Sequence, residues 1–356
     1  MNKKRFIVCV LALLVISISA PAQACTIFMA ETENSVLTGN NEDWLYSFST
    51  SMKIIAPDGN NYGRICFYLE TYMQGGMNEH GLFYDGAACP KTELPPYDDS
   101  KGEMDHQFGD IALSKCSNVA EVVELFETYN FPDFYHQLLF VDASGESAVL
   151  TWVDGEFRVI YREDKSYQLI SNFYLTNPSL GGYPCRRFST AEKLLEENTS
   201  SISLFREILD ATKQSWGSGG TLYSNIHDLT NKDVYIFQRG RMDAAHKINL
   251  TQQLVAMEEG QIEAYSIEDL TFDTLVTDTD INTDIVEEAQ PTDKLEPEAV
   301  ETSGAEAATG DQESVPIFTE ESEQKSNMDW IVYLIMVMAA AIIVLLLFVI
   351  YKRKKT

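Results

Sequence analysis

Two long apolar runs, one near each end, leave only the stretch between them to build a water-soluble fold. Residues 331–351 carry no charge. At about 1.5 Å per residue, a helix of that length covers roughly 31 Å, the thickness of a bilayer's hydrocarbon core. Trp330, Tyr333 and Tyr351 lie near its ends, where aromatic rings favour the membrane interface. Lys352, Arg353, Lys354 and Lys355 follow at once, and positive charge stays on the cytoplasmic side. The expectation is a membrane helix over 329–351 and a basic cytoplasmic tail over 352–356. The protein would then be a single-pass protein of the cell membrane with its main domain outside.

The other run, 6–20, follows Lys3, Lys4 and Arg5 and precedes Pro21-Ala22-Gln23-Ala24. It is too short to be a comfortable span, and the small-x-small site is what signal peptidase reads. The expectation is a signal peptide over 1–24, removed just before Cys25.

The formal charge of −28 is uneven. From Glu268 to Asp329, 19 acidic residues face only Lys294 and Lys325, a net of −17, and residues 25–267 carry −18. An acidic surface of this kind argues against nucleic acid as a partner. Residues 273–328 are rich in Glu, Asp, Thr, Ala and Ser, include Pro291, Pro297 and Pro316, and show no apolar period. They cannot bury enough surface to offset chain entropy, so a disordered stalk is expected, extended by like charges.

Residues 25–272 remain as one domain of ordinary size. Apolar runs with turn signals between them predict strands over 26–30, 35–38, 137–141, 148–153, 157–161, 168–171 and 233–237. Asp142-Ala143-Ser144-Gly145 reads as a hairpin turn. Helical spacing of Val122, Val123 and Phe126 predicts a helix over 119–129; that of Phe188, Ala191, Leu194 and Leu195 predicts one over 186–197. The class is α+β.

Of six cysteines, Cys9 leaves with the signal. Cys66, Cys89, Cys116 and Cys185 form an even set in an oxidising compartment, which allows one or two disulfides and leaves the pairing open. No pair has zinc-ligand spacing and the five histidines are scattered, so neither metal nor cofactor is expected.

Cleavage after Ala24 would give Cys25 a thiol and a free α-amine. An α-amine has an ordinary pKa near 7.7–8.0, so it can serve as general base to its own residue's nucleophile at neutral pH. Cys25 as a disulfide partner would leave one cysteine over. Lipidation would block the amine, and Ala22-Gln23-Ala24 lacks the leucine that route uses.

Downstream motifs narrow the reading. Cys25-Thr26-Ile27-Phe28, Gly39-Asn40-Asn41-Glu42-Asp43-Trp44 and Gly76-Met77-Asn78-Glu79-His80-Gly81-Leu82 resemble the linear-amide hydrolases among N-terminal nucleophile enzymes. That group includes choloylglycine hydrolases, penicillin V acylases and acyl-coenzyme A:6-aminopenicillanic acid acyltransferases. The likeness continues through Ile170-Ser171-Asn172, Arg187-Phe188, Asn231-Lys232-Asp233-Val234-Tyr235 and Lys247-Ile248-Asn249-Leu250, in order across the domain. It implies a four-layer αββα sandwich with Cys25 opening a central strand. It also implies that Asp43 lies beside the nucleophile and its amine. Asn172 would donate to the oxyanion with its side-chain amide, and Ala88 with its backbone N–H. Arg187 would stabilise charge near the nucleophile; Arg186 is adjacent, and helix register can turn only one inward. Where choloylglycine hydrolases carry arginine, this chain has Asn40, which removes a cation from the site. Trp44, Phe83 and Tyr84 are candidates to line the acyl pocket beside Asn40.

The resulting reading is a cell-surface amidohydrolase that cleaves a small-molecule linear amide through an acyl-thioester on Cys25. An acyltransferase using the same acyl-enzyme and a non-catalytic surface module on the same fold stay open as alternatives.

Overall fold

The computed structural model describes residues 25–104 and 107–274 of the chain. The expected signal peptide over 1–24, the stalk beyond residue 274, the membrane helix over 329–351 and the tail over 352–356 lie outside the described residues. Among the described residues no helix is long and apolar enough to cross a membrane.

Fourteen longer strands build the two sheets. The chain begins with β1 (Thr26–Glu31), β2 (Val36–Leu45), β3 (Thr50–Ile55), β4 (Arg64–Leu69), β5 (Tyr72–Asn78) and β6 (Phe83–Ala88). Helices α1 (Phe108–Lys115) and α2 (Val119–Glu127) follow, then β7 (His136–Val141), β8 (Ser147–Val153), β9 (Glu156–Tyr161) and β10 (Tyr167–Ile170). Next come α3 (Arg186–Glu197) and α4 (Ile202–Thr212), then β11 (Gly219–Asp228), β12 (Asp233–Gln238), β13 (Ala244–Asn249), the short α5 (Leu250–Val255) and β14 (Ile262–Ser266). One eight-stranded sheet runs β10-β1-β2-β11-β12-β13, completed by Ser215–Trp216 beside β11 and Asp273–Thr274 beside β13. The other runs β9-β8-β7-β6-β5-β4-β3-β14.

The strands are apolar on both faces, and their period of two sorts side chains into separate cores. In β1, Ile27 and Met29 enter the core between the sheets, whereas Phe28 and Ala30 enter the core beneath α3 and α4. In β12, Val234 and Ile236 point one way and Tyr235 and Phe237 the other. The second sheet repeats this: Leu139 and Val141 of β7 join the inter-sheet core, while Leu138 and Phe140 pack beneath α1 and α2. Three cores therefore separate four layers, in the order helix, sheet, sheet, helix. Each fully buried Ile or Phe contributes about 1.5–3 kcal/mol of transfer free energy.

The helices start where their caps dictate. Asn118 accepts from the Glu121 N–H, and the Glu121 carboxylate accepts from the Ser117 N–H, a reciprocal cap that opens α2. Ser201 caps α4 by accepting from the Leu204 N–H at 3.1 Å. α2 stops at Glu127, two residues short of the expected 129. The Thr128 N–H folds back on the Leu125 carbonyl, and Tyr129–Asn130 pairs with Gly102–Glu103 instead.

No disulfide forms among the described residues. Cys25, Cys66, Cys89, Cys116 and Cys185 are all free. Cys66 and Cys116 are sealed in the core beneath α1 and α2, whereas Cys89 and Cys185 are half-buried near Cys25's end of the fold.

Candidate active site

Cys25 sits immediately before β1, which has β10 on one side and β2 on the other, so the nucleophile expected from the sequence opens an interior strand. In β2, Asn40 pairs with Ile27 and Asn41 with Thr26. Side chains of even number therefore face the other sheet and those of odd number face α3 and α4. Opposite them, the register of β11 slips between Thr221 and Tyr223. In a regular strand these two would share a face. The bulge turns Thr221 to Asp43 and Tyr223 to Glu42, one on each side of the sheet.

On the helix side, Arg187 organises the site. Its Nη1 donates to the Cys25 carbonyl at 2.6 Å and to Thr26 Oγ1 at 2.7 Å, and its Nη2 donates to Asn172 Oδ1 at 3.3 Å. Ser171 Oγ donates to the same Cys25 carbonyl at 3.1 Å. Asn172 Nδ2 in turn donates to the Ala88 carbonyl at 2.8 Å. The segment carrying Asn172 is held by buried Gln137, whose Nε2 donates to the carbonyls of Ser171 and Phe173 and whose Oε1 accepts from the Leu175 N–H at 2.9 Å. Thr221 donates to Asp43 Oδ1, and Asp43 Oδ2 is buried without a partner. Burial raises the Asp43 carboxyl to about 8, against the Thr221 hydrogen bond and the Arg187 charge.

On the inter-sheet side the chemistry is acidic. Cys25 Sγ lies 3.7 Å from Glu42 Oε1. Asp85, on β6 of the opposite sheet, shares this space and shares Phe83's face of its strand. Burial raises the Glu42 and Asp85 carboxyls, and for Asp85 the neighbouring Glu42 adds to the rise. The Cys25 thiol is pushed up by burial first, then by Glu42, Asp43 and Asp85, with only the Asp43 backbone N–H acting in the opposite sense. The sulfur is thus a thiol at rest and needs a base to become a nucleophile.

The structure brings Cys25, Asp43, Asn172, Arg187 and Ala88 together from five separate stretches of sequence. Arg187 is buried and Arg186 exposed, which settles the register of that pair. Ala88 meets Asn172 through its carbonyl, a contact separate from the backbone N–H expected to face the oxyanion. Asn40 is buried on the Cys25 side beside Glu42. Trp44 and Phe83 also border the inter-sheet core. Tyr84 does not: strand alternation puts it in the core beneath α1, against Phe108 and Phe140. The sequence reading missed Glu42, Asp85, Thr221 and Tyr223. The signal available for Asp85 was an acidic residue inside an otherwise apolar strand. Among the described residues no cluster of His, Cys, Asp and Glu is arranged to hold a metal.

No protein-family model matches the chain, and no curated protein does. Solved structures do. Penicillin V acylase from Agrobacterium tumefaciens is 19% identical, with 67% of this chain and 90% of that one covered at a TM-score of 0.56. Two variants of conjugated bile acid hydrolase from Clostridium perfringens are 17% and 16% identical. They cover 68% of this chain and 97% and 96% of their own, at TM-scores of 0.56 and 0.54. Identities this low establish the fold alone: the chain shares the four-layer architecture of these solved structures.

Proposed function

We propose that the protein is a cell-surface N-terminal cysteine amidohydrolase acting on a linear, non-peptide N-acyl amide. The reading is carried by one observation, the Arg187 guanidinium that ties the Cys25 carbonyl, Thr26 and Asn172 into a single unit. A binding surface has no need to lock a residue at the mouth of a strand to a side-chain amide more than a hundred positions away.

In this reading, removal of residues 1–24 frees the α-amine of Cys25. Asp43 Oδ2, buried and unpartnered, is the acceptor that orients it. The amine takes the thiol proton, and Sγ attacks the amide carbon. Asn172 Nδ2 has a second N–H beyond the one given to Ala88, and it donates to the oxyanion. Collapse expels the amine product, which takes the proton back, and leaves an acyl-thioester. Water then attacks, with the same α-amine as base, and releases the acid. Arg187 positions Cys25 and Asn172 and acts on the reaction only through them. An acyltransferase would share every step to the thioester and differ in using an amine as acceptor. The Asn40 position, without a cation, is the feature that favours a substrate unlike that of choloylglycine hydrolases.

The test is N-terminal sequencing of the mature protein, combined with a form that retains one glycine before Cys25. The mature chain should begin at Cys25, and the glycine form should be inactive. Full activity with the extra glycine would end the N-terminal nucleophile reading.

A further inference from the structure

The inter-sheet face beside Cys25 is lined with buried polar atoms that have no partner, Asn40 and the Trp44 indole N–H among them. Glu42 and Asp85 are fully buried and come from opposite sheets. Glu42 Oε2 and Asp85 Oδ2 have no hydrogen-bond partner. Two neutral groups turned into the same space are also unpartnered and buried: the Tyr223 hydroxyl and the Asn225 side-chain amide. Both sit on β11 opposite β2, Tyr223 facing Glu42 and Asn225 facing Asn40, and the bulge at Thr221 keeps them on this face. Buried polar atoms without protein partners mark a place for water or ligand. The nearest guanidinium, Arg187, is spent on the other face of the sheet.

We infer that Glu42, Asp85, Tyr223 and Asn225 form a recognition site for a protonated amine carried on the substrate's acyl group, next to the scissile carbonyl. This rests on the amidohydrolase reading and names its substrate class: aminoacyl amides. An ammonium offers three donors and no acceptor, which complements two carboxylates, a phenol oxygen and an amide oxygen. The position of the amine follows from the sulfur. Glu42 Oε1 is 3.7 Å from Sγ. In the acyl-enzyme the first acyl carbon beyond the carbonyl is two bonds from that sulfur. An amine on this carbon or the next meets Glu42, whereas one at the far end of a long chain does not. A buried ammonium is tolerated only when paired, and its arrival draws Glu42 and Asp85, whose carboxyls burial holds toward the protonated form, into the ionised state that pairs with it.

The experiment uses the processed full-length enzyme and two substrates with one skeleton, leucine 7-amido-4-methylcoumarin and 4-methylpentanoyl 7-amido-4-methylcoumarin. They differ only in the α-amine. In parallel, alkylation of Cys25 by iodoacetamide is followed with leucinamide or 4-methylpentanamide present. The amine-bearing substrate should have a kcat/KM at least tenfold higher, and leucinamide alone should slow alkylation. Glu42→Gln and Asp85→Asn should each cut the preference tenfold or more. Tyr223→Phe, which deletes only an unpartnered hydroxyl and should fold normally, should cut it a few-fold. Equal turnover of both substrates without protection by leucinamide would mean that water alone fills the site; it would overturn the inference and leave the amidohydrolase standing. Turnover of neither substrate, with protection that Asp85→Asn abolishes, would sink the amidohydrolase and leave the amine site. Neither turnover nor protection would sink both.

Discussion

The two faces of β2 at the nucleophile are both polar and both buried, yet they are finished to different degrees. Toward α3 and α4, the Asn41 amide donates to the Leu209 carbonyl and Thr212 Oγ1, each at 3.0 Å, and accepts from Ser224 Oγ at 2.6 Å. Arg187, Thr26, Asn172 and Ser171 are joined in the same way. Toward the other sheet, Glu42, Asp85, Tyr223 and Asn225 each leave polar atoms unpartnered. A satisfied buried network rigidifies, whereas an unsatisfied one costs free energy for every orphaned group. The helix-side face therefore reads as the scaffold of the site, and Asp43 Oδ2 is the one acceptor it leaves open there. The inter-sheet face reads as the part still waiting for an occupant.

The largest expected effect lies at the residue both faces share. Cys25→Ser should lower amide turnover by orders of magnitude with an unchanged unfolding temperature, since a hydroxyl is a far weaker nucleophile near neutral pH. Turnover within tenfold of the parent would show that the sulfur is not the attacking atom.

Next is the scaffold face. Asn172→Ala removes the donor that Arg187 and Gln137 jointly place. It should lower kcat about 10²–10³-fold while altering KM little. Steady-state kinetics giving kcat within threefold of the parent would move the oxyanion donor elsewhere, and with it the meaning of the Arg187 network.

The third prediction separates the faces by pH. Burial raises Glu42 from 4.5 to about 7. A carboxyl whose folded pKa is raised contributes stability that is fully present below its unfolded value and lost as pH rises through the folded one. The loss from Glu42 takes place as pH rises from about 4.5 to 7. Glu42→Gln should flatten the decline in unfolding free energy across that window, read by denaturant titration of both proteins. Parallel curves would place the ionisation outside the inter-sheet core.

Much of this was legible beforehand because the motifs carry position as well as type. Helix 186–197 and the strands near 26–30, 148–153 and 233–237 follow from apolar spacing, and the structure reproduces them within a residue or so. Arg187 was separable from Arg186 once helix register mattered, and the buried partner is indeed the one on the apolar stripe with Ala191 and Leu195. Three things escaped. Helix α1 is short and interrupted by Gly109, which sits there because a Cβ would strike the Tyr84 ring, so its sequence lacks a helical period. Glu42 and Asp85, close enough for the charge of one to raise the other, stand on strands of different sheets, a proximity no local pattern encodes. The bulge at Thr221 is a register slip between β2 and β11, invisible in either strand alone.

The smallest expected effect belongs to the rest of the chain. Both faces of the site are built from residues 25–274, and the last described strand pairs Asp273 and Thr274 with Ala245 and Ala244. A cut after Thr274 keeps that pairing, which a cut at the sequence-derived boundary of 272 would lose. Residues 25–274 carry −21 and residues 275–329 carry −14. Charges of one sign repel at low salt and gain nothing from screening at high salt, so the acidic segment has no electrostatic reason to dock on the domain. Its proposed task is to hold the enzyme away from the membrane, where it meets diffusible amides. A chain ending at Thr274 should therefore be secreted as a soluble enzyme whose kcat/KM lies within twofold of the full-length protein and whose unfolding temperature is the same. Aggregation of the shortened chain, or activity regained only when the acidic segment is restored, would show that residues beyond 274 belong to the fold, and the satisfied face at Arg187 would then have to be searched for a partner among them.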